Sequence, residues 1–383
     1  MLQLIAVALM GVGVVMIHSA GVSITSPDAG RIGSIFFSRH LAFMALAIVA
    51  MLAASRIDVR GMFMARGWKN PLWPLLAVVF GLCVAALVPG VGRNVNGASR
   101  WIVVAGVSFQ PSELLKYVLP IALAWWCARR QGVMHRFFAG LLPALLLTAA
   151  AFVLVGKEDL GTAVLIGVVA LAVIAASGAR LWQLLLLLPA AGAMLVAGVL
   201  AAPYRVKRLM IFLDPWSDTQ GAGYHIIQSM AAIAGGGVWG RGLGNGVQKF
   251  GYLPEDTTDF IFAIICEELG LAGAMLIIGL YVALIWIGVR VLRECEDTFG
   301  RLLALGIVTT IGLQAAMNIA VVTVVVPPKG IALPLVSAGG TGWLVTATAI
   351  GLLASLDNAR CFAAEKQVAR PASLGTGRLM MDH

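Results

Sequence analysis

Apolar residues in this chain gather into long runs, and the charges, glycines and prolines fall mostly between them. A membrane-spanning helix needs roughly 20 mostly apolar residues. Runs near 2–21, 38–55, 72–90, 112–128, 137–155, 162–178, 182–201, 259–289, 300–323 and 339–357 meet that description. The pattern predicts an all-α polytopic membrane protein of about ten transmembrane helices. The first run lacks a basic leader, so despite the faint cleavage-like His18-Ser19-Ala20 it reads as a first helix and not a removed signal.

Composition agrees with this picture. Of 383 residues, 60% are hydrophobic and 12% charged, with a mean hydropathy of +0.94, outside the range of soluble globular domains. The net charge of +9 is not gathered into a basic face, which argues against a nucleic-acid partner. It follows topology instead. Alternate loops and the C-terminal end carry fifteen Lys and Arg, against six on the other side once the 202–258 loop and Lys116 are set apart. The positive-inside rule then puts both termini in the cytoplasm, with a large extracytoplasmic loop between helices seven and eight. The five cysteines are scattered without a paired spacing, so neither a zinc site nor a disulfide framework is indicated.

No linker divides the chain, which reads as one membrane domain over 1–358 and a short cytoplasmic tail over 359–383. Two outer loops stand out. "VPGVGRNVNGASRWIVVAGVSFQPSELLK" has the Gly, Asn and Pro content of a structured turn. The loop from Ala202 to Thr258 is long enough to be functional, and its apolar stretches predict short helices or re-entrant pieces at the outer face.

Scarce charge is concentrated where that loop meets the eighth run. "YLPEDTTDFIFAIICEELG" holds Glu255, Asp256, Asp259, Glu267 and Glu268, five of the chain's 18 acids. Ionisable groups near membrane depth are expensive and point to function by default. Asp259 has two readings at this point: a carboxylate stabilised at a helix N-terminus beside capping threonines Thr257-Thr258, or a general base whose pKa its acidic neighbours raise. Glu267 and Glu268 read as a pair neutralised by a basic residue on a neighbouring helix. Glu113 and Lys116, three apart, read as an ion pair within the fourth helix.

Arg205, Lys207, Arg208, Arg241 and Lys249 in the long loop suit an anionic ligand or lipid headgroups. The glycines of "AGGGVWGRGLGNG" leave amides open to a diphosphate, though without the strand–helix context of a phosphate loop. "VVPPKGIALPLVSAGGTG" is a broken segment, tolerated at membrane depth only where protein or a cavity surrounds it, so Lys329 and Ser337 are expected to line a cavity.

The ordered blocks "NGASRWI", "FQPSELLK", "EDLGTA", "YRVKRLMIFLDPWSD", "GYHIIQSMAAIAGGGVWGRGLGNGVQK", "YLPEDTTDFIFAIICEELG" and "PPKGIALPLVSAGGTG" resemble the SEDS proteins, the FtsW/RodA/SpoVE family of bacterial cell-wall synthesis. Three of them look closer to the division-type FtsW branch than to RodA. The resemblance implies a ten-helix fold in the bacterial inner membrane. It also implies an inverting glycosyltransferase that polymerises lipid II into β-1,4 glycan strands and releases undecaprenyl diphosphate. Asp259, the acid of "TDF", is then the catalytic base. Arg205, Arg208, Lys329, Trp101, Gln248, Lys249, Ser337 and Glu255 are expected to bind substrate. Structural or regulatory roles are expected for Glu113, Lys116, Asn96, Arg100, Asp159 and Glu267. A divalent cation, Mg or Mn, could share the diphosphate charge. The implied partners are a class B penicillin-binding protein, docked through helices eight and nine, and other division or elongation proteins. Lys157-Glu158 and Ala338 depart from the usual motifs. A lipid II flippase and a non-catalytic scaffold for the transpeptidase are the alternative readings.

Overall fold

The computed structural model describes residues 1–21, 39–65, 70–95, 98–104, 106–221, 223–250, 252–338 and 340–368. Every predicted run is a helix. In chain order the elements are α1 (Leu2–Ala20), α2 (Arg39–Ala54), the short α3 (Val59–Met64) and α4 (Leu72–Leu87). Three strands follow, β1 (Gly92–Val95), β2 (Ala98–Val104) and β3 (Val107–Phe109). Then come α5 (Pro111–Arg129), α6 (Leu142–Gly156), α7 (Leu160–Ala176), α8 (Leu181–Leu200), α9 (Pro203–Leu213), α10 (Tyr224–Gly236), α11 (Ile261–Glu294), α12 (Thr298–Val322) and α13 (Thr341–Val368). Five helical stretches, among them α1, α8, α11 and α12, are long and apolar enough to cross a membrane, and shorter apolar helices accompany them. The chain is a multi-pass membrane protein.

Local chemistry marks the helix ends. Pro111 opens α5, where a missing N–H costs nothing. Asp159 caps α7 by accepting from the Thr162 amide at 3.0 Å, and Asp297 caps α12 through the Gly300 amide at 2.7 Å. The interior gathers around α5, which is buried on nearly all sides from Leu115 to Ala124 and packs against α4, α7 and α12. A helix apolar all round belongs in such a place. The exception is Lys116, only 2% exposed, paired to Glu113 at 2.6 Å as the sequence suggested. At the periphery α8 buries only Gln183 and Leu184 and turns most of its other leucines outward.

The loop after β1 folds more than expected: β1, β2 and β3 form a small antiparallel sheet in that order, with Arg93 opposite Trp101 and Ile102 opposite Phe109. Asn96 lies outside the described residues. The long loop contains α9 and α10, the two short helices its apolar stretches predicted.

The eighth run is not one smooth helix. At Gly270 the backbone turns to φ +66°, a region that favours glycine, and α11 is interrupted there. The freed groups are satisfied by the segment after α10. Leu271 and Ala272 donate their amides to the carbonyls of Gly237 and Val238, while Arg241 and Gly242 donate theirs to the carbonyls of Glu267 and Glu268. A Cβ on Gly240 would strike the Glu268 backbone, so the approach requires glycine.

Carboxylates complete the attachment and correct three expectations. Glu267 accepts from the amides of Val247 and Gln248 at 2.8 and 3.2 Å and faces Arg241 at 3.4 Å. Glu268 accepts from the Gly244 amide, the Ser19 hydroxyl and Lys249, the last at 2.9 Å with both side chains wholly buried. The cations therefore come from the loop and not from a neighbouring helix. The amides of Gly240, Arg241, Gly242, Gly244 and Asn245 are taken by the protein's own oxygens and are not open to a diphosphate. Lys249 is enclosed in an ion pair, and Gln248 is held by its backbone beside it. Lys249, its side chain wholly buried against Glu268, is not placed to meet substrate.

Removing one partner of a buried pair leaves a charge without compensation, typically costing about 3–5 kcal/mol. Lys249→Ala is expected to lower the unfolding midpoint in detergent sharply. The double change Lys249→Met with Glu268→Gln, which leaves no unpaired charge, is expected to recover most of the loss.

Candidate active site

Asp259 lies just ahead of α11, in a turn built by Glu255. The Glu255 backbone is left-handed at φ +58°, uncommon for a residue with a side chain, and its carbonyl accepts from the amides of both Thr258 and Phe260. Its carboxylate accepts from the Thr258 hydroxyl at 2.8 Å. Thr258 is therefore engaged with Glu255, and the N-cap of α11 is Phe260, with no side-chain bond. The capping role weighed for Asp259 and the two threonines is not what the helix uses.

Three other elements meet this turn. The segment between α12 and α13 approaches it from one side: the Ala338 amide donates to the Thr257 carbonyl at 2.8 Å, and a Cβ on Gly330 would stand 2.7 Å from Asp259 Oδ2. That same Cβ would be 3.8 Å from an Arg100 Nη2, which places the guanidinium of β2 beside the carboxylate. Arg100 also pairs with Asp159 at the start of α7, Nη1 to Oδ2 at 3.2 Å. Lys329 lies across Gly161 of the same α7 turn, where an added Cβ would be 2.7 Å from Nζ. Glu158 ties the strand down by accepting the Ser99 amide at 2.8 Å, so the departure at Lys157-Glu158 falls on the seam between α7 and β2. A shallow pocket, open to the exterior, borders this seam and is lined by Cys83, Leu87, Arg100, Pro111, Glu158 and Asp159.

Electrostatics follow from the packing. Burial raises the Asp259 carboxyl from 3.8 to about 7, Glu255 adds to the rise, and Arg100 and Arg208 oppose it. Asp256 is pushed up to about 6, again mainly by burial. The crowding of acids foreseen from the sequence contributes, but loss of water is the larger cause. Burial also lowers the Lys329 ammonium, with Arg205 and Arg208 in the same direction and Asp159 opposing.

The other expected residues divide. Arg208 is exposed on α9 with its guanidinium 5.7 Å from the Tyr204 ring. Arg205 donates instead to the carbonyls of Gly198, Gly156 and Lys157, so it binds the ends of α6 and α8 together. Ser337 is 1% exposed, accepts from the Leu333 amide at 2.7 Å and offers its carbonyl to Trp343; it shapes the segment and does not face a cavity. Trp101 is half-buried in β2.

Two features were missed. His225 of α10 stacks on Phe260 at 5.9 Å and 16°, and burial followed by Arg208 lowers its pKa. Asn318 of α12 donates to the backbone carbonyl of Asp259. Its signal in the sequence was a pair of amides, Gln314 and Asn318, four residues apart in an apolar run.

Among the described residues no three His, Cys, Asp or Glu side chains converge as a ligand set, and Asp159 is occupied by Arg100 and Thr162.

Comparisons with known proteins cover nearly the whole chain. The sequence model of the FtsW/RodA/SpoVE family, described as cell cycle protein, matches residues 1–361. A probable peptidoglycan glycosyltransferase FtsW of Geobacter sulfurreducens is 39% identical over 354 residues, 92% of this chain and 93% of the relative. Stage V sporulation protein E of Bacillus subtilis is 38% identical over 357 residues, 92% of this chain and 95% of the relative. Among solved structures, a chain from work on the structural coordination of polymerization and crosslinking by a peptidoglycan synthase complex aligns with a TM-score of 0.74 and 27% identity, covering 94% of this chain and 97% of that one. The rod shape determining protein RodA of Thermus thermophilus shares the fold, with a TM-score of 0.64 at 24% identity and coverage of 94% and 96%.

An acid whose pKa is raised on folding holds its proton more tightly in the native state, so it takes stability away as pH rises from its ordinary value to its raised one. For Asp259 that window runs from 3.8 to about 7. Asp259→Asn is expected to remove this contribution. Its unfolding midpoint should gain on the wild type as pH is raised across the window and keep a constant lead above it.

Proposed function

The chain belongs to the FtsW/RodA/SpoVE family of cell cycle proteins, and from that membership we propose that it is a peptidoglycan glycosyltransferase acting at the outer face of the bacterial cytoplasmic membrane. Its substrate is lipid II, and its products are a β-1,4 glycan strand and undecaprenyl diphosphate. The observation that carries the reading is the placement of Asp259. A carboxyl poised near neutrality stands at the outer end of an apolar bundle, in a turn that Arg100 and Arg208 approach.

The reaction needs two things at once. The 4-hydroxyl of the incoming sugar must lose a proton, and the departing diphosphate must have its charge neutralised. A general base works best with a pKa near the operating pH, which burial gives Asp259. Deprotonated, its Oδ2 accepts the hydroxyl proton as the oxygen attacks the anomeric carbon from the face opposite the diphosphate. The bond to the leaving oxygen breaks in the same displacement and the centre inverts.

Lys329 and Arg208 are the cations left to meet the leaving group. The Lys329 arm is held over Gly161, and Arg208 is exposed beside it on α9. Arg100 has a different task, since it bridges Asp159 and the neighbourhood of Asp259 and fixes the sheet to α7. Arg205 braces α9 so that Arg208 is presented.

A class B penicillin-binding protein is the proposed partner. In support, the similar chain at TM-score 0.74 comes from a synthase complex, and α11 leaves Leu271, Met275, Leu276, Val282 and Trp286 exposed along its length.

Lipid II polymerisation by the protein co-expressed with its transpeptidase tests the reading. Asp259→Asn is expected to cut strand formation by about 10²–10⁴-fold, the usual weight of a general base. Equal polymer from the folded variant and the wild type would overturn the assignment. Lys329→Met is expected to cost on the order of 10²–10³ in kcat, as loss of a charge-stabilising donor does. The wild-type rate should rise with pH through a midpoint near 7, as Asp259 loses its proton.

A further inference from the structure

The backbone carbonyl of Asp259 is bonded by a side chain 59 residues further along, in another helix. Asn318 is 1% exposed on α12, and its side-chain Nδ2 donates to two backbone carbonyls, Asp259 at 2.8 Å and Ile331 at 2.7 Å. Both partners are acceptors, so the amide can only present its NH2 to them. Its Oδ1 finds no donor among the described residues, which leaves the two N–H groups as the contribution of this side chain.

One turn earlier Gln314 makes a parallel attachment. Its Oε1 accepts from the Lys116 ammonium at 2.6 Å, which can only donate, so its Nε2 must face the other way, and it donates to the Ala332 carbonyl at 2.8 Å. Residues four apart share a helix face. That face of α12 therefore grips two consecutive carbonyls of the segment that carries Lys329 and Gly330. Asn318 adds a grip on the turn opposite.

We propose that Asn318 is a positioning residue for the reaction: by bonding the carbonyls of Asp259 and Ile331 together, it sets the carboxyl of Asp259 against Gly330 and at a fixed separation from Lys329. The inference rests on the reading of Asp259 as the base. Without the clamp, the Asp259 turn and the Lys329 segment stay joined through the Ala338 amide and the Thr257 carbonyl. The carboxyl can then move out from beside Gly330 toward water. Its charged neighbours Glu255, Arg100, Asp159 and Arg208 remain in place, so the change in its titration reports this movement.

The test uses the full chain, co-expressed with its transpeptidase and reconstituted in liposomes. Carbodiimide labelling of Asp259 is followed across pH by peptide mass spectrometry, on monodisperse protein only, alongside lipid II polymerisation. Wild type is expected to titrate near 7. Asn318→Ala is expected to titrate at lower pH and to lose about 10–100-fold in kcat, the scale of an ångström of misplacement. Asn318→Ser keeps one donor and should fall between the two; it serves if the alanine variant does not fold. Thr310→Ala, on the same helix with its hydroxyl bonded to the Gly306 carbonyl, should match wild type in both readouts.

A wild-type titration and rate for either Asn318 variant overturns the proposal. So does an equal downward shift in Thr310→Ala, which would mean general loosening of α12. Asp259→Asn is assayed in parallel. If it polymerises normally the base reading fails, while the labelling comparison still decides whether Asn318 places the carboxyl.

Discussion

Lipid offers a backbone no hydrogen bonds, and the outer end of this protein is governed by that constraint. Three irregular stretches meet there: the loop after α10, the turn before α11, and the segment between α12 and α13. Each is held by side chains that take the part of water. Glu267 and Glu268 satisfy the first, with amides of Gly244, Val247 and Gln248 pointing at their oxygens. Asn318 and Gln314 satisfy the other two, supplying donors to the carbonyls of Asp259, Ile331 and Ala332. Two of these four side chains are acids and two are amides because the loop presents free donors while the two segments present free acceptors.

The same exclusion of water gives the site its chemistry. Asp259 is raised toward neutrality first by burial and then by Glu255, and the cations nearby, Arg100 and Arg208, limit the rise. A carboxyl without those cations would stay protonated too far above neutrality, and one without burial would be too weak a base. Glycines allow the close contacts this balance needs. Gly330 and Gly161 let the carboxyl of Asp259 and the arm of Lys329 lie directly against backbone.

Much of the fold was legible in the chain. Ten apolar runs became ten helices because an apolar stretch of spanning length has one stable answer in a bilayer. The pair Glu113 and Lys116 was legible for a similar reason, since a three-residue spacing on a helix puts them together whatever surrounds them. The cluster of acids drew attention to Asp259 correctly as a perturbed group, although its larger cause, burial, depends on segments distant in sequence. The small sheet was not foreseen beyond a structured turn, because strands of three to seven residues carry little periodic signal.

What the sequence by itself determined was therefore the membrane class, the position of the apolar helices, and the stretch of chain where charge is concentrated. Tertiary structure decided which of those charges are available. Lys249, Ser337 and Arg205 have the same chemistry as ligand-binding groups, yet Glu268, the Leu333 amide and three backbone carbonyls already engage them. Arg208 and Lys329, of the same residue types, are left near Asp259. A side chain's type fixes what it can bond, but its partner is whichever group the fold brings within about 3 Å of it. For Asp259 that proximity comes from Asn318 and the Lys329 segment, about 60 to 70 residues further along the chain, and no local pattern encodes it.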